Sequence, residues 1–197
     1  MIWLASYVSP LGPMTLASDG ECLTGLWFDG QKYDRASLRE TVSSDVIRLN
    51  SAYNDILSGN TDNRVWPGGF AEGRLWLDQY FAGQVPDFVP PLRVNGSRFR
   101  QLVAEIMLSI PYGQTMTYGE IGHRVAGLMG RQSMSAQAVG GAVGHNPISL
   151  IIPCHRVVGS TGSLTGYAGG LDRKSWLLRH EAEHSNPNLS DDTSSIF

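Results

Sequence analysis

Between residues 83 and 96 the chain reads GQVPDFVPPLRVNG. Each proline lacks the N–H that a helix or an interior strand requires, so this stretch forms neither and divides the chain. The patterns on its two sides differ in kind. Before it, IWLASYV, MTLASDG and CLTGLWF are short apolar-rich runs separated by Gly, Pro and Asp, which predicts strands. Segment 34–58 has Leu38, Val42, Val46 and Leu49 at helical spacing, and a short amphipathic helix is expected around 71–82. An α/β unit over residues 1–90 follows from this mixture.

After the divide the chain turns helical. Ser97 is positioned as the N-cap of a helix whose apolar face is Phe99, Leu102, Val103, Ile106 and Ile110, with Pro111 as its stop. Thr117 and Glu120 form the spacing of a capping box. SMSAQAVGGAVGHN, 133–146, reads as a second helix built of small residues and ending before Pro147. Two short helices joined by a Gly-containing turn fit a helix-turn-helix, although two merely packed helices share that pattern. The Ala, Gly and Ser content of the second helix lets its backbone approach another surface closely. ISLII, 148–152, is expected as a buried strand, and 171–183 as a last amphipathic helix. The polar, acidic segment 184–197 is expected as a disordered tail. Residues 91–183 thus form a second, mostly α unit.

Charge is distributed unevenly. The formal net charge is −3, yet residues 93–181 hold nine Lys and Arg against four Asp and Glu, leaving +5 there and −8 elsewhere. A basic half beside an acidic half is compatible with nucleic-acid binding. No apolar run approaches the roughly 18 residues of a membrane span, and the N-terminus has neither a positive leader nor a long apolar core. No membrane partner is expected, and a cytoplasmic location is. Two cysteines, Cys22 and Cys154, make no disulfide framework, and five scattered histidines show no ligand spacing, so neither metal nor cofactor is expected.

The chemistry concentrates at IIPCHRVVG, 151–159. A thiol reacts as its thiolate, so what matters is which groups lower its proton affinity. His155 is a base beside Cys154, Arg156 adds positive potential, and Glu181 is a candidate to orient the imidazole. On adjacency alone an inert buried thiol is the commoner reading. Neighbouring strand residues also face opposite ways, so His155 serves Cys154 only if the backbone turns after Pro153.

Taken together, PCHRV (153–157), AVGGAVGHNPISLI (138–151), GYAGG (166–170), KSWLLRHE (174–181), IPYGQTMTYGEI (110–121) and SPLGPMTLASDG…LTGLWF (9–28) resemble the O6-alkylguanine-DNA alkyltransferases over about residues 1–183. The resemblance implies a ribonuclease-H-like α/β domain followed by a mostly α domain with a winged helix-turn-helix. It implies a monomer that binds double-stranded DNA through the minor groove and flips out O6-alkylguanine. The alkyl group then passes irreversibly to Cys154, once per molecule. By the same resemblance His155 takes the thiol proton through a water, Glu181 orients His155, Asn146 is the hinge behind the recognition helix, and Tyr118 protonates guanine N3. Tyr167, Val157, Ala168 and Lys174 border the base. Ser135, Ala136, Gln137, Ala138, Gly140, Gly141, Thr117 and Arg156 fall at the DNA. Two other classes compete: a damage-flagging relative without the cysteine, from which Cys154 separates this chain, and a cysteine hydrolase that would not need the helix-turn-helix.

Two positions depart from the family pattern. Gln137 stands where an arginine usually wedges into the base stack, and Ala168 stands where a serine is common. A glutamine fills part of the gap but carries no charge. Gln137→Arg is therefore expected to tighten DNA binding and to steepen the dependence of log K on log salt by about one unit. Titrations at several salt concentrations measure both, and unchanged affinity and slope would refute the assignment.

Overall fold

The structure, a computed structural model, describes residues 1–38, 46–48 and 67–185. Four strands, β1 (Ile2–Ser9), β2 (Gly12–Ser18), β3 (Leu23–Phe28) and β4 (Val46–Arg48), form a sheet in the order β3-β2-β1-β4. β1 and β2 are a hairpin with Ser9 opposite Gly12, β2 and β3 are antiparallel, and β4 runs parallel to β1. Residues alternate across the sheet. Met14, Leu16, Leu26 and Phe28 enter the main core, whereas Leu4, Ala17 and Trp27 form a small cluster on the other face.

Helix α1 (Phe70–Phe81) packs on this sheet, and the proline-rich segment follows it. Helices α2 (Arg98–Leu108), α3 (Tyr118–Leu128), α4 (Ala136–Gly144) and α5 (Leu171–His184) make up the rest, with a two-stranded parallel pair, β5 (Met116–Thr117) and β6 (Val157–Val158). The caps are those that the sequence indicates. Ser97 accepts from Arg100 N, Ser135 from Ala138 N, and Thr117 with Glu120 closes a reciprocal capping box. Buried Ile121, Val125, Val139 and Val143 belong to one core shared by α3 and α4.

Three expectations change. Where helical spacing runs through 34–58, the described residues hold a turn at 34–35, a 3-10 turn at Ala36–Leu38 and strand β4 at Val46–Arg48; residues 39–45 and 49–58 lie outside the described residues. Parallel pairing with β1 overrides the local periodicity. ISLII is buried as expected, but only Ile148 makes a strand-like bridge, to Leu26. Residues 149–152 form a tight turn with Leu150 in the left-handed region at φ 68°. Residue 184, expected in a disordered tail, is helical instead: His184 ends α5 and Ser185 caps it, and the remainder of that expectation, 186–197, lies outside the described residues.

The segment at 83–96 does more than connect. Leu23 N donates to Pro91 O, and Arg93 N donates to Leu23 O, both at 2.8 Å. Farther along the same edge, Leu26 N donates to Pro147 O and Ser149 N to Leu26 O, again at 2.8 Å. The free edge of β3 therefore holds both the linker and the segment that leads to Cys154, which leaves no open edge there.

The N-terminus of α1 is pressed against the β2–β3 turn. Gly69 sits at φ 87°, and a Cβ there would lie 2.7 Å from Leu23 N. Gly69→Ala is expected to lower the unfolding free energy by about 2 kcal/mol, from left-handed strain and backbone crowding. Gly127→Ala, on the exposed face of α3 with nothing within 4 Å of the new Cβ, is expected to raise it by roughly 0.5–1 kcal/mol. Urea unfolding of the two variants checks the contrast.

Candidate active site

Cys154 opens a 3-10 turn, Cys154–Arg156, delivered by the tight turn at 149–152. The turn supplies the change of direction that a strand would have denied to His155. Asn146 organises the approach. Its side-chain N–H groups donate to Ile152 O (2.8 Å), Ile148 O (3.2 Å) and Cys154 Sγ (3.1 Å), and its Oδ1 accepts from Ile148 N (3.1 Å). The amide thus joins the end of α4 to the thiol through one side chain.

His155 is fully buried, and its Nε2 lies 2.6 Å from Glu181 Oε1. A carboxylate only accepts, so Nε2 carries the hydrogen and Nδ1 keeps its lone pair. Nδ1 is buried and has no hydrogen-bond partner among the described residues, which leaves it available as a base. Burial lowers the imidazole's proton affinity, against the pull of Glu181, and favours the neutral ring. Burial alone would raise the Glu181 pKa, but the donors from His155 and Arg156 outweigh it and bring it down to about 2. Burial raises the Cys154 thiol, opposed by the Asn146 hydrogen bond and the charge of Lys174.

Lys174 is buried, with Nζ on the carbonyls of Val157 (2.5 Å) and Thr165 (2.9 Å), so it ties the strand after the thiol to the loop that follows. Desolvation lowers its pKa. Tyr118 donates toward the carbonyls of Thr165 and Gly166, both at 3.2 Å. Tyr167 has a buried hydroxyl without a partner among the described residues. Tyr118, Tyr167 and Ala168 line a cleft of about 540 Å³, together with Ala136, Gly140, Gly141, Gly144 and His145 of the α4 side. Cys154 itself does not line the cleft and is 4% exposed, but both tyrosines lie within electrostatic reach of it.

Helix α4 turns Ser135, Ala136, Gln137, Ala138 and Gly141 outward, and Gly140 is half-buried. A Cβ at Gly140, Gly141 or Gly144 would meet nothing within 4 Å. Packing within the chain therefore does not require small residues there. Thr117 spends its hydroxyl on the capping box at the start of α3.

Arg156 requires a correction. Expected at the DNA, it is buried instead, with Nε on Glu181 Oε2 (2.8 Å), Nη2 on Oε1 (3.0 Å) and Nη1 on Ile110 O (2.7 Å). A buried carboxylate demands a compensating charge, and Arg156 provides it in a two-pronged grip. The sequence reading also missed contributors from the N-terminal half. Tyr33 stacks on His145 with ring centroids 3.8 Å apart, Lys32 N donates to Ala168 O at 2.9 Å, and both residues line the cleft. Tyr80 reaches Glu181. No local pattern marks these residues, because their partners lie more than 100 positions away in the chain.

The geometry is that of a helix-turn-helix protein carrying a buried thiol, imidazole and carboxylate in one group. Comparison with known proteins gives its family. Residues 98–183 match the 6-O-methylguanine DNA methyltransferase DNA-binding domain, and residues 2–94 match the ribonuclease-like domain of the same methyltransferases. The chain is 38% identical over 190 residues to the methylated-DNA–protein-cysteine methyltransferase of Mycobacterium bovis, covering 96% of this chain and 98% of that one. It is 34% identical to the Haemophilus influenzae protein of the same name, over 91% of this chain and 86% of that one. The crystal structure of Mycobacterium tuberculosis OGT in complex with DNA superposes with a TM-score of 0.71 at 36% identity, covering 92% and 94% of the two chains. The chain belongs to the 6-O-methylguanine DNA methyltransferase family, with its two-domain fold of a ribonuclease-like N-terminal part and a DNA-binding C-terminal part.

The buried pair makes stability depend on pH with a definite sign. Glu181 has a depressed folded pKa, so its stabilisation is present above the ordinary value of 4.5 and is lost as pH falls toward about 2. His155 is held neutral, so the unfolded chain binds more protons below its ordinary value of 6.5, and stability falls from there downward. Unfolding followed against pH is expected to show loss beginning near 6.5 and continuing through 4.5. Glu181→Gln is expected to cost about 3 kcal/mol at neutral pH, by stranding the Arg156 charge, and to flatten the lower part of the profile.

Proposed function

We propose that this chain repairs double-stranded DNA by direct reversal of alkylation, moving the alkyl group from O6 of guanine to its own Cys154. The arrangement that carries this reading is a thiol and an uncommitted imidazole nitrogen on one turn, with the small-residue face of α4 across the adjoining cleft. The M. tuberculosis relative, solved in complex with DNA, supports the DNA partner. In this reading residues 91–183 bind DNA and carry the transfer, residues 1–90 buttress them, and the protein acts as a cytoplasmic monomer. No helix among the described residues is long and apolar enough to cross a membrane.

The steps follow from the site. Ala136, Gln137, Ala138, Gly140 and Gly141 approach the minor groove, with Ser135 and Thr117 capping the two helices at their N-termini, where backbone N–H groups face phosphate. The flipped guanine enters the cleft beside Tyr167 and Ala168. The thiol proton passes to His155 Nδ1 through a water, and Glu181 stabilises the imidazolium that forms. The thiolate attacks the alkyl carbon; the S–C bond forms as the C–O6 bond breaks. The electron pair of the broken bond remains on the base, which takes the Tyr118 hydroxyl proton at N3 and leaves as neutral guanine. Tyr118 recovers a proton from solvent and the His155 imidazolium gives one up to it, so the protons balance. Tyr118 must first release the carbonyls of Thr165 and Gly166, so its donation is coupled to movement of that loop. The thioether has no route back to a thiol, so each molecule acts once.

In this reading the Val157 carbonyl, which already accepts from Lys174, receives the guanine amine on its second lone pair. Incubation with a duplex carrying one methyl-labelled O6-methylguanine tests the whole reading. Label is expected on the protein up to one per molecule, and none on Cys154→Ala. Binding without label transfer, or release of the label to solvent, would overturn it.

A further inference from the structure

Glu181 is also reached from a direction that these steps do not use. Tyr80 lies on α1, 101 positions earlier, is wholly buried, and donates its hydroxyl to Glu181 Oε1 at 2.9 Å. That oxygen is the one that accepts His155 Nε2 at 2.6 Å. Tyr80 is itself held from several sides. His180 Nε2 lies 2.8 Å from its backbone carbonyl, Trp76 stacks on its ring at 5.1 Å, and Tyr112 and His155 meet that ring edge-on at 5.9 and 6.4 Å. A ring fixed in this way cannot swing its hydroxyl to another acceptor.

A buried tyrosine hydroxyl usually finds some partner. Here the partner is the oxygen that orients the general base, and each donor on that oxygen reduces its pull on the imidazole hydrogen. Resting on the transfer to Cys154 described above, we propose that Tyr80 is a positioning residue of the reaction: it fixes the Glu181 carboxylate against His155 and moderates its grip on the imidazolium. The N-terminal half then supplies part of the catalytic geometry. Without the hydroxyl, Oε1 pulls harder on His155, the imidazolium is favoured, and the neutral base is available only at higher pH. The other charged or titratable groups around the pair are Cys154 and Arg156 on the same turn, Lys174 and His180 on α5, and Tyr112 and Tyr167 from the flanking loops. All of them are retained in a Tyr80→Phe protein.

The test is the single-turnover rate of methyl transfer from a duplex carrying O6-methylguanine, followed from about pH 5 to pH 9. Tyr80→Phe is expected to lower the plateau rate by about tenfold and to move the acid limb up by about half a pH unit. Tyr112→Phe removes a neighbouring buried hydroxyl that has no partner among the described residues, and it is expected to move neither. Thermal melting verifies that each variant is folded. If Tyr80→Phe does not fold, 3-fluorotyrosine at position 80 alone, a stronger donor of nearly the same shape, is expected to move the limb to lower pH. A folded Tyr80→Phe with the wild-type rate and limb, or a fluorotyrosine protein with the wild-type limb, overturns the proposal and leaves transfer to Cys154 standing. Absence of methyl transfer by the wild-type protein overturns both.

Discussion

Removing a carboxylate from water costs on the order of several kcal/mol unless donors replace the lost hydration. Glu181 is fully buried and accepts five hydrogen bonds: one from His155, two from Arg156, one from Tyr80 and one from the backbone of Gly113. These donors come from the turn that carries the thiol, from α1 and from the loop after α2. Satisfying one anion on α5 therefore fixes the relative placement of α1, the loop after α2 and the turn that carries Cys154. The requirement is stringent because losing one donor leaves charge unpaired in a region of low dielectric.

The edge of β3 is the second point of convergence. It pairs with the linker at Leu23 and with the segment after α4 at Leu26. Asn146 and Pro147 are thereby held between the outward-facing helix and the sheet, and Asn146 hands that placement to Cys154 through its amide. The N-terminal half is consequently part of the active site's support, and with Lys32 and Tyr33 it also forms one wall of the cleft.

Burial also shapes the chemistry. It favours the protonated thiol and the neutral imidazole, the pair of states from which proton transfer to His155 starts. Asn146 and Lys174 oppose the penalty on the thiolate. In the proposed reaction the ionic pair forms only when its surroundings compensate it, which keeps the thiol inert in the resting protein. The loop beside the thiol is held by the Tyr118 bonds to Thr165 and Gly166 together with the Lys174 bond to Thr165.

Local rules made much of this protein legible. The three capped helices begin where Ser97, Thr117 and Ser135 indicate, since a cap depends on residues within one turn. The motif around Cys154 carried the family, and the proline-rich segment located the change from strands to helices. Reading failed where the deciding partner lies outside the local pattern. Val46 was periodic for a helix but pairs with β1; Ile148–Ile152 read as a strand but folds into a turn in which Asn146 holds its carbonyls; and Arg156, assigned to the DNA by the family resemblance, is held by Glu181 instead. The sequence by itself determined α2, α3 and α4 with their caps, and the motif that carries the family. Only the tertiary structure decided which charges are buried, which edge is sealed and which hydroxyl reaches the carboxylate, because desolvation and pairing there involve partners that folding brings together from separate parts of the chain.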